Sequence, residues 1–175
     1  MKKFKLTSEF IVDISGVKLF RIKALIEFGN VKAGDLGGYI EKEENLSHMG
    51  NAWVSGNAQV SGDARVSGNA WVSGNAQVSG DARVFGNARV SGDAQVFGDA
   101  RVSGDKDYAY AHGFGSCNRT TTFFRLKDGD VGVRCGCFYG TLAQFRDNVC
   151  ETHGETKKAQ EYLMLADLMD FRFKN

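Results

Sequence analysis

Apolar and polar positions repeat with a period of six between Gly50 and Gly104. The repeated phrase is Gly-(Asn/Asp)-Ala-x-Val-(Ser/Phe), and its valine returns at 54, 60, 66, 72, 78, 84, 90, 96 and 102. Side chains alternate along a strand, so Ala and Val face one side while x faces the other. Since six residues make one short strand and one turn, the pattern predicts a parallel β-helix with an interior of Ala and Val.

A second period of eighteen overlies the first. Residues 50–67 return at 68–85 with one change, from Ser67 to Phe85, and residues 86–103 form a looser third copy. Eighteen residues make one triangular coil of three strands, so we expect three to four coils. Unbroken hexapeptides favour the left-handed form. A flexible Gly/Ser linker would not keep Ala and Val in register.

The segments on either side of the repeat predict two further units. Residues 1–39 are expected to form a β-hairpin cap, with strands near 10–14 and 17–28 and a Ser15-Gly16 turn. Residues 40–104 then form the β-helix, whose first, imperfect rungs carry Ile40 and Leu46. A cap is needed because the end of a β-helix exposes backbone donors and acceptors.

Residues 105–175 predict a small α+β domain of ββαα order. Residues 105–118 are rich in turn formers, and a hairpin with Asp128-Gly129 at its tip follows. Thr141 is a predicted N-cap of a helix that ends near Gly154, and a second helix spans 156–174. A unit of this size is expected to dock on the β-helix or on a partner chain. The predicted fold is therefore mainly β.

Composition excludes several classes of protein. The chain has 175 residues and a net charge of +1, so no overall field draws it to nucleic acid or to a membrane. No apolar run approaches the ~20 residues of a membrane span. The start MKKFKLTSEF lacks an apolar segment, so no signal peptide is predicted and the expected location is the cytoplasm. Four cysteines would then stay reduced, and no cofactor or metal is predicted.

The outward x positions form three columns with residues ~4.8 Å apart. The columns are Trp53, Trp71, Arg89; Gln59, Gln77, Gln95; and Arg65, Arg83, Arg101. The tryptophans are expected to project outward, where either another chain or residues 105–175 would cover them. The glutamines can hydrogen-bond to one another. Phe85 and Phe97, in slots otherwise held by serine, are expected to dock residues 105–175.

Stacked arginines repel one another unless an anion intervenes. A parallel column of Asp63, Asp81 and Asp99 offers internal pairing, and the alternative is an external phosphate, nucleotide or acidic surface. A second set of candidate anion ligands lies around a glycine-rich turn. This set comprises Ser116, Arg119 and Arg125.

Cysteine and histidine near the end of the chain form a C-x-C plus C-x-x-H pattern. Its members are Cys135, Cys137, Cys150 and His153. Zinc accepts such ligands, but the spacing favours buried thiols. A Cys137–His153 nucleophile pair is a further alternative that nothing in the sequence orients.

The phrases DLGGYIEKEENLS and GCFYGTLAQFRDNVCETHG, with a following EYL and the coils between them, resemble a family of small proteins from tailed bacteriophages and prophages. The resemblance implies a phage source, a β-helix and a role inside the infected cell, and it supplies no catalytic residue. The coils alone also resemble hexapeptide acyltransferases and polymer-forming bacterial β-helices.

Three functions are compatible with this sequence. The first is a non-enzymatic binding protein that antagonises a host defence factor or sequesters its nucleotide signal. The second is an acyltransferase, although the nine hexapeptides contain neither a loop insertion nor a histidine, and His48 and His112 lie outside them. The third is a structural phage assembly protein, which the predicted caps argue against. A homo-oligomer, dimer or trimer, is expected through the coil faces or the last domain.

Overall fold

A β-hairpin opens the computed structural model, which describes residues 1–174. Strands β1 (Phe4–Val12) and β2 (Lys18–Ala24) pair antiparallel, and β2 pairs in turn with β3 (Leu36–Ile40). The predicted hairpin is confirmed, although its first strand begins at Phe4, six residues earlier than expected. Because β3 continues into the first solenoid sheet, the hairpin extends that sheet beyond the coils.

Nine two-residue strands follow, one for each hexapeptide. They are β4 (Trp53–Val54), β5 (Gln59–Val60), β6 (Arg65–Val66), β7 (Trp71–Val72), β8 (Gln77–Val78), β9 (Arg83–Val84), β10 (Arg89–Val90), β11 (Gln95–Val96) and β12 (Arg101–Val102). Each strand pairs in parallel with its counterpart eighteen residues away, which gives the sheets β4-β7-β10, β6-β9-β12 and β3-β5-β8-β11. The chain therefore forms a parallel β-solenoid of roughly four turns, as the sequence predicts.

Small apolar side chains fill the solenoid. Every repeat alanine and valine is at most 1 % exposed, and Ile40 and Leu46 continue the same stack below them. The repeat glycines turn the chain with φ between 61° and 71°. They also lie directly against one another, since a Cβ on Gly80 would come within 2.9 Å of the Gly98 nitrogen. Glycine is thus required at these turns both for its φ angle and for the close approach of neighbouring coils.

Asparagine side chains, and not glutamines, form the hydrogen-bonded ladders of this solenoid. Asn51, Asn69 and Asn87 bond along one corner at 3.2 Å, and Asn57 and Asn75 continue to Asp93 along another. Among residues 1–174 no side-chain hydrogen bond joins the glutamines of the outward column, so that expectation was wrong. Turn side chains are short and held close to their neighbours one coil away, whereas the longer glutamines retain rotamer freedom.

The last unit has four strands instead of the two predicted. Strands β13 (Tyr108–Phe114), β14 (Arg119–Arg125), β15 (Val131–Cys135) and β16 (Phe138–Thr141) form an antiparallel sheet in chain order. Helices α1 (Leu142–His153) and α2 (Lys157–Lys174) follow, with Thr141 as the N-cap of α1, as predicted. The segment expected to be a turn-rich crossing contains β13, where alternating Tyr and Ala suit a strand despite the glycines nearby. No helix among the described residues is long and apolar enough to cross a membrane.

This four-stranded sheet docks on the top of the solenoid. Phe97 contacts the Tyr139 ring at 5.2 Å between centroids, and Arg134 lies over the Phe97 ring at 4.9 Å. Phe124 is fully buried in the solenoid core, while Phe123, next to it, belongs to the core beneath the helices. The expectation that Phe97 docks the last domain is confirmed.

The two ends of the solenoid are closed by groups of opposite polarity. Each coil donates its N–H groups toward the C-terminal end, so the first coil presents carbonyl oxygens and the last presents N–H groups. At the first end, the Lys3 ammonium donates to the carbonyls of Ala52 at 2.7 Å and Gly50 at 3.3 Å. The Asn45 amide donates to two further carbonyls of the same coil at 3.0 and 2.9 Å. Donors therefore cap the carbonyl end.

Acceptors cap the other end on all three faces. Asp105 accepts the Arg89 N–H at 2.9 Å, Thr122 accepts the Gln95 N–H at 2.9 Å, and Asp107 accepts the Ser103 N–H at 2.8 Å. Burial raises the pKa of Asp107, but the Ser103 hydroxyl and two backbone N–H groups outweigh it and hold that pKa below its usual range. Both ends thus have capping groups from within the chain.

The buried Lys3 makes a testable contribution to pH dependence. Desolvation lowers its pKa from 10.5 to about 8. At pH values below that pKa the ammonium is charged in both the native and the unfolded state. Its desolvation then destabilises the native state relative to the unfolded state. Between about 8 and 10.5 the unfolded state binds more protons, so stability rises with pH. Relative to Lys3→Met, the wild type should gain up to roughly 3 kcal/mol in unfolding free energy across this window.

Urea unfolding at several pH values checks this, and the variant serves as the control because it shares all other titrating groups. A wild-type minus variant difference that is flat with pH would contradict a desolvated ammonium at this position.

Candidate functional site

An open groove of about 690 Å³ runs along the sheet β6-β9-β12. Residues 43–48, which lead into the first coil, form its lower wall, and Phe85 forms its upper wall. Its lining residues come from this lead-in segment and from the first two coils. They are Glu43, Glu44, Leu46, Ser47, His48, Arg65, Val66, Ser67, Arg83 and Phe85. Its volume lies within the range of small-molecule sites.

The lower wall is held in place by the buried Asn45. The side-chain oxygen of Asn45 accepts the Lys42 N–H at 2.8 Å. The NH₂ group of the same side chain donates to two backbone carbonyls of the coil above. The chain then continues through Leu46, which bridges to Val66 in parallel. This arrangement fixes the short 3₁₀ turn Glu43–Asn45 against the first coil, so its carboxylates line the groove.

His48 and Glu43 form a fixed polar cluster at this wall. The His48 ring stacks on Phe4 at 4.4 Å, and its Nδ1 accepts the Lys3 N–H at 3.1 Å. Its Nε2 lies 3.4 Å from Glu43, whose carboxylate also accepts from Lys2 at 2.8 Å. The Lys2 hydrogen bond is the main reason that the pKa of Glu43 lies below its usual range. Both ring nitrogens therefore have partners within the chain.

The arginine column divides into one occupied and two free guanidinium groups. Arg101 donates to the backbone carbonyls of Asp81, Asp99 and Ala100 at 2.8 to 3.2 Å. Arg65 and Arg83 are exposed, and neither guanidinium has a hydrogen bond or ion pair within residues 1–174. Both line the groove in adjacent strands.

Of the two alternatives for this column, internal pairing with aspartates is wrong. Asp63 pairs with Lys42 at 2.8 Å, and Asp99 pairs with Lys127 at 2.9 Å. The hydrogen bond from each lysine is the main cause that lowers the pKa of its aspartate. No ion pair in the described part of the chain joins Asp81 to a stacked arginine. An aspartate and an arginine two residues apart on a strand point to the same face and could pair. Here the aspartate carboxylates bind lysines from neighbouring segments instead.

Phe85 is a wall of the groove and not a docking point for residues 105–175. It is 38 % exposed, and it lies one coil above Ser67, in the same slot. This slot is also the single difference between residues 50–67 and 68–85. An otherwise repeated sequence therefore departs from its pattern at the groove.

The tryptophan column has the predicted register, but its first member has a different cover from the one predicted. Trp53 pairs with Trp71, and Trp71 pairs with Arg89. Trp53 is only 2 % exposed because Phe28 of the N-terminal cap covers it at 5.4 Å. Trp71 is half-buried and donates to the Ser55 hydroxyl at 3.0 Å. Trp53 is therefore covered by the N-terminal segment, and not by another chain or by residues 105–175 as expected.

The second set of anion candidates does not converge. The Ser116 N–H donates to the Tyr162 hydroxyl at 3.0 Å. Arg125 donates to the carbonyls of Gly129 and Phe173 at 3.1 and 2.8 Å, so it ties β14 to the end of α2. Arg119 is exposed at the other end of the same strand, roughly 20 Å away at ~3.3 Å per residue.

The cysteines are also dispersed. Cys135 is buried beside Tyr162, with its sulfur 3.2 Å from the Thr121 hydroxyl that donates to it. Cys137 and Cys150 are exposed, so the expectation of buried thiols holds for one of these three. His153 stacks obliquely on Tyr162 at 5.8 Å. Within residues 1–174 no group of three or more His, Cys, Asp or Glu side chains could hold a metal.

Comparison with known proteins supports the solenoid. A family model described as the YdcK β-solenoid repeat matches residues 58–74, 76–92 and 94–105. These spans cover less than half of the chain, so the chain is similar to this repeat over its coils. No curated protein matches the chain significantly. The similarity thus includes Arg83 and Phe85 but not the lower wall of the groove.

Proposed function

We propose that this chain is a non-enzymatic binding protein whose solenoid presents the groove to a small anionic ligand with a planar ring, such as a nucleotide. The observation that carries the proposal is the pair of unpaired guanidinium groups beside Phe85. Stacked strands place Arg65 and Arg83 ~4.8 Å apart, where both can bind one phosphate-bearing group. Guanidinium forks match phosphate oxygens bidentately.

Phe85 supplies a surface for the ring of such a ligand. An aromatic side chain at 38 % exposure gains by covering its face with another flat ring. The exposed Glu44 at the opposite wall can accept hydrogen bonds from exocyclic amino groups of a base. His48 already uses both ring nitrogens, which supports binding over acid–base chemistry at this groove.

The cellular setting is part of the same proposal. The resemblance of the segments before and after the coils to small phage proteins supports a phage source. In the cytoplasm of an infected cell, such a protein would sequester a nucleotide signal of host defence or antagonise a defence factor directly. Capping of both solenoid ends within the chain favours this over a structural protein that assembles by end-to-end stacking.

Isothermal titration tests the ligand class. The titrants are adenosine and guanosine 5′-monophosphates, their cyclic dinucleotides, the nucleosides and inorganic phosphate. We expect a nucleotide to bind more tightly than either nucleoside or phosphate. Arg65→Gln and Arg83→Gln should each weaken binding roughly tenfold to hundredfold, since a charge-assisted hydrogen bond contributes about 1.5–3 kcal/mol. Arg89→Gln, an exposed arginine in the next sheet, is the matched control.

Phe85→Ser separates the ring contribution from the charge contribution. Serine is the residue that the chain itself places in this slot one coil below, so the backbone should tolerate it. The variant should lose the preference for a nucleotide over phosphate and retain phosphate binding. Absence of binding for every titrant, or equal losses for Arg89→Gln and Arg83→Gln, would refute a nucleotide site in the groove.

A further inference from the structure

A second cleft, of about 470 Å³, follows the glutamine column along the sheet β5-β8-β11. Its floor is formed by the three outward glutamines, Gln59, Gln77 and Gln95. Residues 12–15, at the tip of the β1–β2 hairpin, form a wall, and Phe97 with Arg134 lies at the upper end. The cleft shares no lining residue with the groove of the proposed function. It is named the glutamine cleft below.

The floor presents side-chain amides in a regular row. Within residues 1–174 these three amides make no hydrogen bond, and the same holds for the hydroxyls of Ser61 and Ser79, which line the cleft beside them. Parallel pairing in register places the glutamines ~4.8 Å apart. Each amide can both donate and accept, so the floor is a row of donor–acceptor pairs that repeats once per coil.

The glutamine cleft suits an uncharged ligand, because its two charged side chains are already engaged within the chain. Asp13 accepts the Ser15 N–H at 2.9 Å and the Ser15 hydroxyl at 2.7 Å. Arg134 lies over the Phe97 ring at 4.9 Å and donates to the Cys137 carbonyl at 3.4 Å. The polar groups left free in the cleft are neutral amides and hydroxyls, which match a ligand that carries hydroxyl groups.

A peptide strand cannot bind this floor through its backbone. Strand β8 pairs with β5 on one side and with β11 on the other. Strand β3 closes the lower side of β5, and Thr122 accepts the Gln95 N–H at the upper edge. Strand addition needs an open sheet edge, so recognition at the floor must come from side chains.

We propose that the glutamine cleft binds an uncharged β-1,4-linked oligosaccharide whose successive rings lie over successive glutamines. Each hexose ring carries hydroxyls that donate and accept, as the amides do. The β-1,4 linkage keeps the chain extended, with a ring repeat close to the rise between coils. The CH face of the last ring packs on the exposed part of the Phe97 ring, which stands where the two lower coils have Ser61 and Ser79.

Isothermal titration with cellobiose, cellotriose, cellohexaose and maltotriose tests the ligand class. Cellotriose should bind about tenfold more tightly than cellobiose, because it reaches the third glutamine. Cellohexaose should gain little more, since the floor has three glutamines. Maltotriose contains the same three glucose units in a curled α-1,4 chain, and it should bind at least about tenfold more weakly than cellotriose. Equal affinities for the two trisaccharides would overturn the proposal.

Gln77→Ala should weaken cellotriose binding about tenfold, because it removes the central amide. Gln160→Ala is the matched control, since it makes the same change at an exposed position of α2. Arg83→Gln should leave cellotriose binding unchanged, whereas it weakens nucleotide binding in the other groove. The two proposals can therefore fail separately.

The NMR signals of the side-chain NH₂ groups give a readout that does not depend on the folding of a variant. The chain has five glutamines. Cellotriose should shift the NH₂ signals of Gln59, Gln77 and Gln95 in the wild type and leave those of Gln144 and Gln160 in place. Unshifted signals at the three floor glutamines, an equal shift with maltotriose, or equal losses of affinity for Gln77→Ala and Gln160→Ala would each refute this site.

Discussion

Replacing Val78 by aspartate is expected to unfold the middle of the solenoid, at a cost of about 4–5 kcal/mol or more. Val78 is 1 % exposed and stacks between Val60 and Val96 in the sheet β5-β8-β11. A carboxylate there has no donor within reach, because the interior contains only Ala and Val side chains at this level. Coils stabilise one another through nearest-neighbour contacts, so the loss should spread to both neighbouring coils.

Thermal unfolding followed by circular dichroism measures this effect. Gln77→Asp is the matched control, since it introduces the same group one residue away on the exposed face. It should change the stability by no more than about 0.5 kcal/mol. A Val78→Asp protein that melts at the wild-type temperature would show that residue 78 does not point inward.

Replacing Asn45 by leucine is expected to destabilise the protein by about 3–5 kcal/mol, although leucine has nearly the same shape. Asn45 is fully buried and donates to the carbonyls of Gly62 and Ala64, while it accepts the Lys42 N–H. Leucine fills the space, excludes water and leaves those groups unsatisfied, at about 1–3 kcal/mol for each. Because Asn45 holds the lower wall of the groove, ligand binding should weaken as well.

Asn51→Leu is the control for this substitution, because Asn51 is exposed and makes a single ladder bond to Asn69 at 3.2 Å. It should cost at most about 1 kcal/mol. Urea unfolding of both variants gives the comparison. Equal losses for the two would mean that the carbonyl end of the solenoid is solvated and needs no cap.

Two elements of the last domain show where local patterns succeed and fail. Thr141 caps α1 as predicted, because its hydroxyl accepts the Gln144 N–H within the same four residues. Strand β13 was missed because its partner β14 lies beyond the turn at Cys117 and Asn118, which adopt positive φ without being glycine. Whether a segment with several glycines is a strand depends on the neighbour with which it pairs.

At the groove, too, the sequence identifies the relevant residues but not their contacts. The sequence identifies Arg65, Arg83 and Phe85 as unusual, since they are outward and one of them breaks the repeat. It leaves the arginines with two alternatives, aspartates of the same coil or an external anion, and it assigns Phe85 to the last domain. Lysines 42 and 127 instead bind those aspartates, and both lie outside the repeat.

The sequence by itself determined the solenoid, its register and its inward residues, because a period of six and an alternation of two are local rules that each coil repeats on its neighbour. Only the tertiary structure decided how the ends are closed and which outward side chains stay free. Lys3 and Asn45 reach carbonyls 49 and 19 residues away, and Phe28 covers Trp53 across a similar separation. Such contacts follow from how the cap folds back on the first coil, and no short-range pattern encodes that geometry.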